Sequence, residues 1–347
     1  MNNTFPDDIY LDIASFSRVL DKTTNSYKYL FLFSILTKIK DTGKSDLAFT
    51  EIKFVDLAVE MLLIAWFPHR YFKLSFGLQD QCAKVLNQFI DSQSGVFENG
   101  PITEATLGQL RQDLFHWLSE NDAVLKKMLS YVPYRLLTPF FEDQLRGMKD
   151  AEKNKAIVHF CEARANDVAS IVPLYQFTHD SILIDASWRE YMQKNMPVIE
   201  GWVKWNWCEY LQNRNPSVPS IPHKVLPVLQ RISMNKEIEY WKKVQEHKDI
   251  SCIYTGKVLE SFELDHFLPW TFVTHNQLWN LIPVDGSANA SKSNYLPDLS
   301  YFEHFVEEQA SAIQVSKTIF PEKQWEKYMA PGQSHINQLA IPKTLSK

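Results

Sequence analysis

The chain has 347 residues, of which 45% are apolar and 22% are charged, and its formal net charge is −5. This composition is typical of a globular protein with a sizeable core. The negative charge excludes a uniformly basic coat for nucleic acid, although a local basic groove stays compatible with it. Because the cysteines include no CxxC pair and no disulfide framework, we expect a cytoplasmic protein; they are Cys82, Cys161, Cys208 and Cys252.

The first two thirds of the chain are predicted to be mainly helical. Apolar residues recur at helical spacing across 29–39 and 54–66, and Pro68 is expected to end the second helix. Both stretches are too short to span a bilayer, so we expect no membrane segment. Further helices are predicted at 106–119, 124–131, 157–165 and 198–211, with breaks at Gly95, Gly100, Pro101 and 147–155.

The segment 65–77 is a candidate for nucleic-acid contacts within this helical region. It places His69, Arg70 and Lys73 among aromatic residues such as Phe72. Basic groups beside aromatic rings can bind phosphates and stack on bases. The alternative is a helix end followed by a loop that packs into the core.

Proline-rich residues 213–227 indicate a domain boundary, because repeated prolines favour an extended backbone. A helix is predicted at 235–247. From Cys252 to Val284 the pattern changes to short apolar stretches with turn signals, which are typical of strands. Closing helices are predicted at 301–313 and 322–329.

The residues that carry chemistry begin with Asp265 and His266. Alternation places Phe262 and Leu264 on one face of a strand and Asp265 on the other. A carboxylate suits Mg²⁺ or Mn²⁺, and an imidazole can take a proton from water near pH 7. Taken alone, the pair is more often a histidine at the end of a strand that is hydrogen-bonded to an adjacent turn.

Three later residues extend this pattern. Residues 278–284 predict a second strand that contains Asn280, whose amide can bridge two backbone segments. Asp285 can cap a helix that carries Asn289 and Lys292 and that ends by Pro297. Asn289 could complete a metal site, and Lys292, three residues later on the same side, could bind a phosphate or lie in solvent.

The combination of LDHFLPW, LWNLIPV and NASKS across residues 252–298 resembles the HNH endonuclease domain, also called the ββα-metal fold. The pattern is most similar to the HNH domain of RNA-guided CRISPR nucleases. The resemblance implies that His266 is the general base and that Asp265 and Asn289 ligate one Mg²⁺ or Mn²⁺. It implies further that Asn280 braces the loop and that Lys292 is the basic residue near the phosphate.

Many HNH domains carry two CxxC pairs around a structural zinc. Here Thr255 stands where the second cysteine would follow Cys252, and no partner pair follows downstream. We therefore expect no structural zinc, and we expect the turn at 254–256 and hydrophobic packing to shape the start of the first strand. Glu263, on the same face as Asp265, is either a surface residue or a neighbour of the metal ligands.

The predicted fold class is α+β, with a mainly helical targeting or regulatory domain at 1–225. An HNH nuclease domain follows at 226–315, with its core at 252–298, and 316–347 form a C-terminal helix and tail. The predicted function is metal-dependent hydrolysis of DNA in prokaryotic restriction or phage defence. Alternatives are a non-catalytic subunit of a defence complex and an RNase of the same fold; a protein partner or a homodimer is compatible with each.

Overall fold

The computed structural model describes residues 5–21, 23–43, 46–78, 80–93, 104–165, 172–225 and 233–321. The chain divides into two compact units, residues 1–229 and residues 230–347. The α+β class with a mainly helical N-terminal region is confirmed. None of the helices in these ranges is long and apolar enough to cross a membrane.

The first unit is built mainly from helices whose apolar faces meet in its core. The helix α2 (Tyr27–Asp41) is buried along much of its length, including Leu30, Phe31 and Ile35. Glu60 is also buried and is paired with Lys38 at 3.0 Å and with Arg111 at 3.1 Å. The helices are α1 (Ile13–Phe16), α2 (Tyr27–Asp41), α3 (Phe54–Trp66), α4 (Cys82–Ser92), α5 (Glu104–Glu120), α6 (Asp122–Met128), α7 (Val132–Leu136), α8 (Asp150–Ala165), α9 (Ala186–Lys194) and α10 (Met196–Arg214).

A three-stranded antiparallel sheet lies within this unit, and it was not predicted. Its strands are β1 (Phe49–Lys53), β2 (Gln176–Phe177) and β3 (Ser181–Asp185), in the order β1-β3-β2. Ile52 lies opposite Ile182, and both side chains are buried. The pairing joins segments about 130 positions apart, which local periodicity does not reveal.

Two predicted helix boundaries in the first unit were wrong. Pro68 does not end the helical backbone, because a π-helical turn continues over Phe67–Tyr71 and proline is tolerated in its first turn. The polar break predicted at 147–155 is shorter, since α8 already begins at Asp150, where acidic residues suit a helix N-terminus. The loop predicted at Gly95, Gly100 and Pro101 lies outside the described residues, as does the helix predicted at 322–329.

The segment 65–77 packs into the core, as in the alternative interpretation. The rings of Phe67, Phe72 and Phe76 are buried, so they are not available to stack on bases. His69 contacts Asn87 through Nε2 at 3.0 Å. This segment therefore does not support the nucleic-acid contacts considered for it.

The second unit places a two-stranded antiparallel sheet between helices. Strand β4 (Glu263–His266) pairs with β5 (Leu281–Val284), so that Asp265 lies opposite Ile282. Asn280 precedes β5 in a 3₁₀ turn (Leu278–Asn280), and the prediction that it lies within the strand was wrong. The helices of this unit are α11 (Asn235–Gln245), α12 (Trp270–Val273), α13 (Gly286–Lys292) and α14 (Phe302–Ile319), with a 3₁₀ turn at Leu299–Tyr301.

The helix α14 closes the core of the second unit over β5. Phe305 stacks on Phe267 with ring centres 4.0 Å apart. Gln309 is buried, and its side-chain amide donates to the carbonyl oxygens of Leu278 and Leu281 at 3.0 and 2.8 Å. These contacts hold the turn and the strand that stand beside the predicted catalytic residues.

Candidate active site

The end of β4 presents the two residues on which the chemical prediction depends. Leu264 points into the hydrophobic core, and the alternation of the strand turns Asp265 towards α13. Asp265 is only 4% exposed. His266 is half-buried at the last position of the strand.

Asp285 determines where α13 begins. Its Oδ1 accepts from the backbone N–H groups of Ser287 at 3.0 Å and Ala288 at 3.3 Å, which confirms the predicted cap. The hydroxyl of Ser287 and the N–H of Ala288 lower the pKa of Asp285 below its usual value. Because the helix starts here, Asn289 and Lys292 both lie on the side that faces β4.

Lys292 binds the cluster of oxygens at the end of β4. Its Nζ donates to Asp265 Oδ1 at 2.9 Å and to the carbonyl oxygen of His266 at 2.7 Å. The Lys292 side chain is 8% exposed and that of Asp265 is 4% exposed. The structure therefore brings Lys292 together with Asp265 and His266, and the alternative of a solvated surface lysine was wrong.

Tyr254 contacts the second oxygen of Asp265. Its hydroxyl donates to Oδ2 at 2.7 Å. Burial, followed by the nearby charge of Asp265, raises the pKa of Tyr254 well above its usual range, so the phenol stays a donor. This contact was missed in the sequence, where only the turn at 254–256 was noticed.

His266 has a partner of its own in the loop that follows α12. Its Nε2 lies 3.0 Å from Oδ1 of Asn276. Because the oxygen of an amide can only accept, the ring donates through Nε2 in this contact. Asn276 was not identified as a site residue from the sequence, because nothing in its neighbourhood marks the contact.

The side chain of Asn280 is completely buried and bridges the loop after β4. Its Oδ1 accepts from the N–H of Leu268 and its Nδ2 donates to the carbonyl of the same residue, both at 2.9 Å. The backbone carbonyl of Asn280 accepts from the N–H of Phe267 at 2.9 Å. Asn280 thus supports the loop behind His266, and its amide is directed at the backbone.

Asn289 is held by Glu263 and does not contact Asp265. Its Nδ2 donates to Glu263 Oε2 at 2.8 Å, while the described contacts of Asp265 are with Tyr254 and Lys292. A Cβ on Gly286 would lie 3.1 Å from Glu263 Oε1, so the glycine leaves room for this carboxylate. The two predicted metal ligands lie on neighbouring elements and have different partners: Asn289 is bonded to Glu263, and Asp265 is bonded to Tyr254 and Lys292.

The oxygens at this end of β4 fit a hard divalent cation. The ammonium of Lys292 stands in for such a cation, since it lies within hydrogen-bond distance of a carboxylate oxygen and a carbonyl oxygen. In the described part of the chain no three His, Cys, Asp or Glu side chains group around a possible metal position. A cation here would therefore depend on Asp265 together with amide or carbonyl oxygens.

Cys252 contacts the backbone at the start of α13. Its sulfur accepts from the N–H of Asp285 at 3.4 Å, which links the turn before β4 to the start of α13. Burial raises the pKa of the Cys252 thiol, but the N–H groups of Asp285, Tyr254 and Thr255 and the hydroxyl of Thr255 outweigh burial, and its pKa lies below the ordinary value.

Comparison with known proteins agrees with this geometry. Residues 252–298 match the model of the family described as HNH endonuclease. No curated protein and no solved structure matches the chain. HNH nucleases generally use a divalent metal and act on nucleic acid. The segment that contains β4, β5 and α13 belongs to the HNH endonuclease family.

Proposed function

We propose that this protein is a metal-dependent endonuclease that hydrolyses phosphodiester bonds of DNA. One observation carries the proposal: a possible general base, His266, lies next to a buried carboxylate, Asp265, and a buried ammonium, Lys292, within a segment of the HNH family. Base, metal ligand and phosphate-binding cation are the groups that such hydrolysis requires.

Asp265 and Asn289 would hold Mg²⁺ or Mn²⁺, and the position of the Lys292 ammonium marks the Asp265 side of that site. When bound, the divalent cation supplies Lewis-acid stabilisation of the charge that develops on phosphate and leaving group. Oxygen donors of this kind suit a hard cation better than zinc or nickel.

His266 would take the proton from the attacking water. The contact with Asn276 holds the imidazole at the end of β4. Asn280 fixes the backbone on which the ring stands through its two bonds to Leu268. Both residues would act by positioning the base.

Lys292 would change partners when substrate binds. In the structure its ammonium compensates Asp265, and a phosphate beside His266 would offer a second anion within reach of the same flexible side chain. Transfer of the ammonium from carboxylate to phosphate would release Asp265 for the cation. The lysine would thus link nucleic-acid binding to assembly of the site.

Charge bears on how the substrate reaches this site. Residues 231–347 contain 12 Lys or Arg and 14 Asp or Glu, a net charge of −2. A domain without basic excess binds DNA weakly by itself. We therefore propose that residues 1–225, a protein partner or a second copy of the chain directs the HNH domain to its DNA. The setting we propose is a cytoplasmic restriction or phage-defence system.

A non-catalytic interaction subunit is the second candidate. It is favoured by the pairing of both Asp265 oxygens within the protein, with Tyr254 and with Lys292. In that state the carboxylate needs no cation. An inactive HNH domain could keep this arrangement as a stabilising cluster.

Incubating the purified full chain with plasmid DNA and Mg²⁺ or Mn²⁺ separates the two candidates. We expect nicking or linearisation that EDTA abolishes, no cleavage by Asp265→Ala, and a loss of about 10²- to 10⁴-fold for His266→Ala. His247→Ala is the matched control, because this exposed histidine follows α11 and bonds through Nδ1 to the carbonyl oxygen of Lys243, outside the cluster of Asp265, His266 and Lys292. Full metal-dependent cleavage by His266→Ala would overturn the proposed mechanism, and cleavage of structured RNA alone would identify an RNase.

A further inference from the structure

The turn before β4 directs the side chain of Tyr254 at Asp265, the proposed metal ligand. The backbone reverses between Ser251 and Val258, which form an antiparallel bridge, and Gly256 N–H donates to Cys252 O at 2.8 Å. Gly256 has a φ of +71°, a conformation that favours glycine. This reversal places Tyr254 at the tip of the turn, with its ring against the site.

The ring of Tyr254 also contacts the 3₁₀ turn that precedes α14. It packs edge-on against Tyr301, with ring centres 5.0 Å apart. The turn is joined to α13 through the contact of Cys252 Sγ with the N–H of Asp285. The phenol hydroxyl of Tyr254 is therefore held by a turn that contacts both Tyr301 and the start of α13.

The hydroxyl determines how Asp265 presents its two oxygens. It donates to Oδ2 at 2.7 Å, and this bond fixes the plane of the carboxylate. Oδ1 then faces α13, where the ammonium of Lys292 lies 2.9 Å away. Without the hydroxyl the carboxylate could turn about its Cβ–Cγ bond and offer either oxygen.

We propose that Tyr254 is a positioning residue that holds Asp265 in the orientation required to bind the divalent cation. The inference rests on the proposed function, since it assumes that Asp265 is a metal ligand. Partners in the outer shell of metal sites commonly change cation affinity by about 10- to 100-fold. Tyr254 would act through Asp265 and would not touch substrate.

The test is the affinity of the purified full chain for Mn²⁺, measured by electron paramagnetic resonance of the free ion without nucleic acid. Tyr254→Phe removes the hydroxyl and keeps the ring, and we expect its Kd for Mn²⁺ to rise by about 10- to 100-fold. Tyr240→Phe is the matched control, because its buried hydroxyl contacts Ser316 Oγ at 2.6 Å in the last turn of α14 and not Asp265. Its Mn²⁺ affinity should equal that of the wild type.

Replacement of Tyr254 by 4-aminophenylalanine supplies a rescue, because its amino group can still donate to Asp265. We expect near wild-type Mn²⁺ affinity from this variant. If Tyr254→Phe does not fold, 4-methylphenylalanine takes its place, because the methyl group fills the space of the hydroxyl and cannot donate. Plasmid cleavage should recover at saturating Mn²⁺ for Tyr254→Phe and stay absent for Asp265→Ala.

The possible results distinguish the role of Tyr254 from the proposed nuclease activity. Unchanged Mn²⁺ affinity in the variants without a donor would overturn the role of Tyr254 and leave the proposed nuclease intact. A wild-type chain that neither binds Mn²⁺ nor cleaves plasmid would overturn both. Equal loss of affinity in Tyr240→Phe would show a general effect on folding and would overturn the positioning role.

Discussion

The ammonium of Lys292 and the carboxylate of Asp265 form a buried ion pair, with Nζ and Oδ1 2.9 Å apart. The pair joins the last turn of α13 to the end of β4. Neither charge has much access to water, so each depends on the other in the absence of a divalent cation. A cation that binds Asp265 must therefore displace an ammonium that is already satisfied.

We expect Lys292→Met to destabilise the metal-free protein and to make it respond more strongly to Mn²⁺. Removing one partner of a buried ion pair costs about 3–5 kcal/mol, and a cation can replace the lost charge. The measurement is denaturant unfolding with and without Mn²⁺. Lys243→Met, which breaks an exposed pair with Glu239, should change stability little. Equal stabilisation of Lys292→Met and wild type by Mn²⁺ would argue against competition.

Asn280→Ala should lower the free energy of unfolding by about 1–3 kcal/mol, because two partly buried backbone groups of Leu268 lose their partner, the fully buried Asn280 amide. Asn289→Ala removes a more exposed amide bonded to Glu263 and should be milder. For Mn²⁺ affinity we expect the opposite order, so that Asn289→Ala weakens Mn²⁺ binding more than Asn280→Ala does. Chemical denaturation and cation titration of both variants measure this contrast, and a larger stability loss in Asn289→Ala would contradict it.

Glycine-to-alanine substitutions should differ between α13 and α10. Gly201, on an exposed face of α10, has open space around a new Cβ, so Gly201→Ala should stabilise the helix by up to about 1 kcal/mol. At Gly286 the Cβ would lie 3.1 Å from Glu263 Oε1 and would push the carboxylate away from Asn289. We expect Gly286→Ala to gain little stability and to bind Mn²⁺ more weakly. Equal stabilisation by both substitutions would show that Glu263 moves without cost.

Lys224 should make stability depend on pH. Its side chain is fully buried, its ammonium donates to Pro219 O, and burial lowers the pKa of Lys224 to about 8. In the unfolded chain a lysine has a pKa of about 10.4, so between these values the unfolded state binds more protons. The free energy of unfolding should therefore rise with pH from about 8 to about 10.

The Lys224 contribution can be isolated by comparing unfolding of wild type and Lys224→Met from pH 7 to pH 10.5. The rise should be absent in the variant and present in Lys194→Met, which replaces an exposed lysine. A parallel pH dependence of wild type and Lys224→Met would mean that the lysine does not titrate in this range.

The parts of the candidate site that the sequence predicts are local ones. The alternation before His266 and the cap at Asp285 each involve residues only a few positions apart, and both agree with the structure. The resemblance to the HNH family could also be predicted from such short patterns, because the HNH motif is defined by the spacing of residues along strand and helix.

The contacts that were not predicted join distant residues or depend on a turn. Tyr254 reaches Asp265 only because the backbone reverses at Gly256. The bond of Asn289 to Glu263 depends on how α13 crosses β4, which spacing alone does not specify. The sheet of the first unit pairs residues 49–53 with 181–185, and neither segment has a pattern strong enough to indicate its partner.

The position of α14 limits how the segment that matches the HNH family could be moved into another protein, in evolution or by protein engineering. The stretch matched by the family ends at residue 298, yet Gln309 secures β5 and Phe305 covers Phe267. A fragment that ended at residue 298 would lack Gln309 and Phe305. The carbonyl oxygens of Leu278 and Leu281 would lose the Gln309 amide, and the ring of Phe267 would lose its cover. The transferable module must run at least from α11 to Phe320, whose ring stacks on Tyr240.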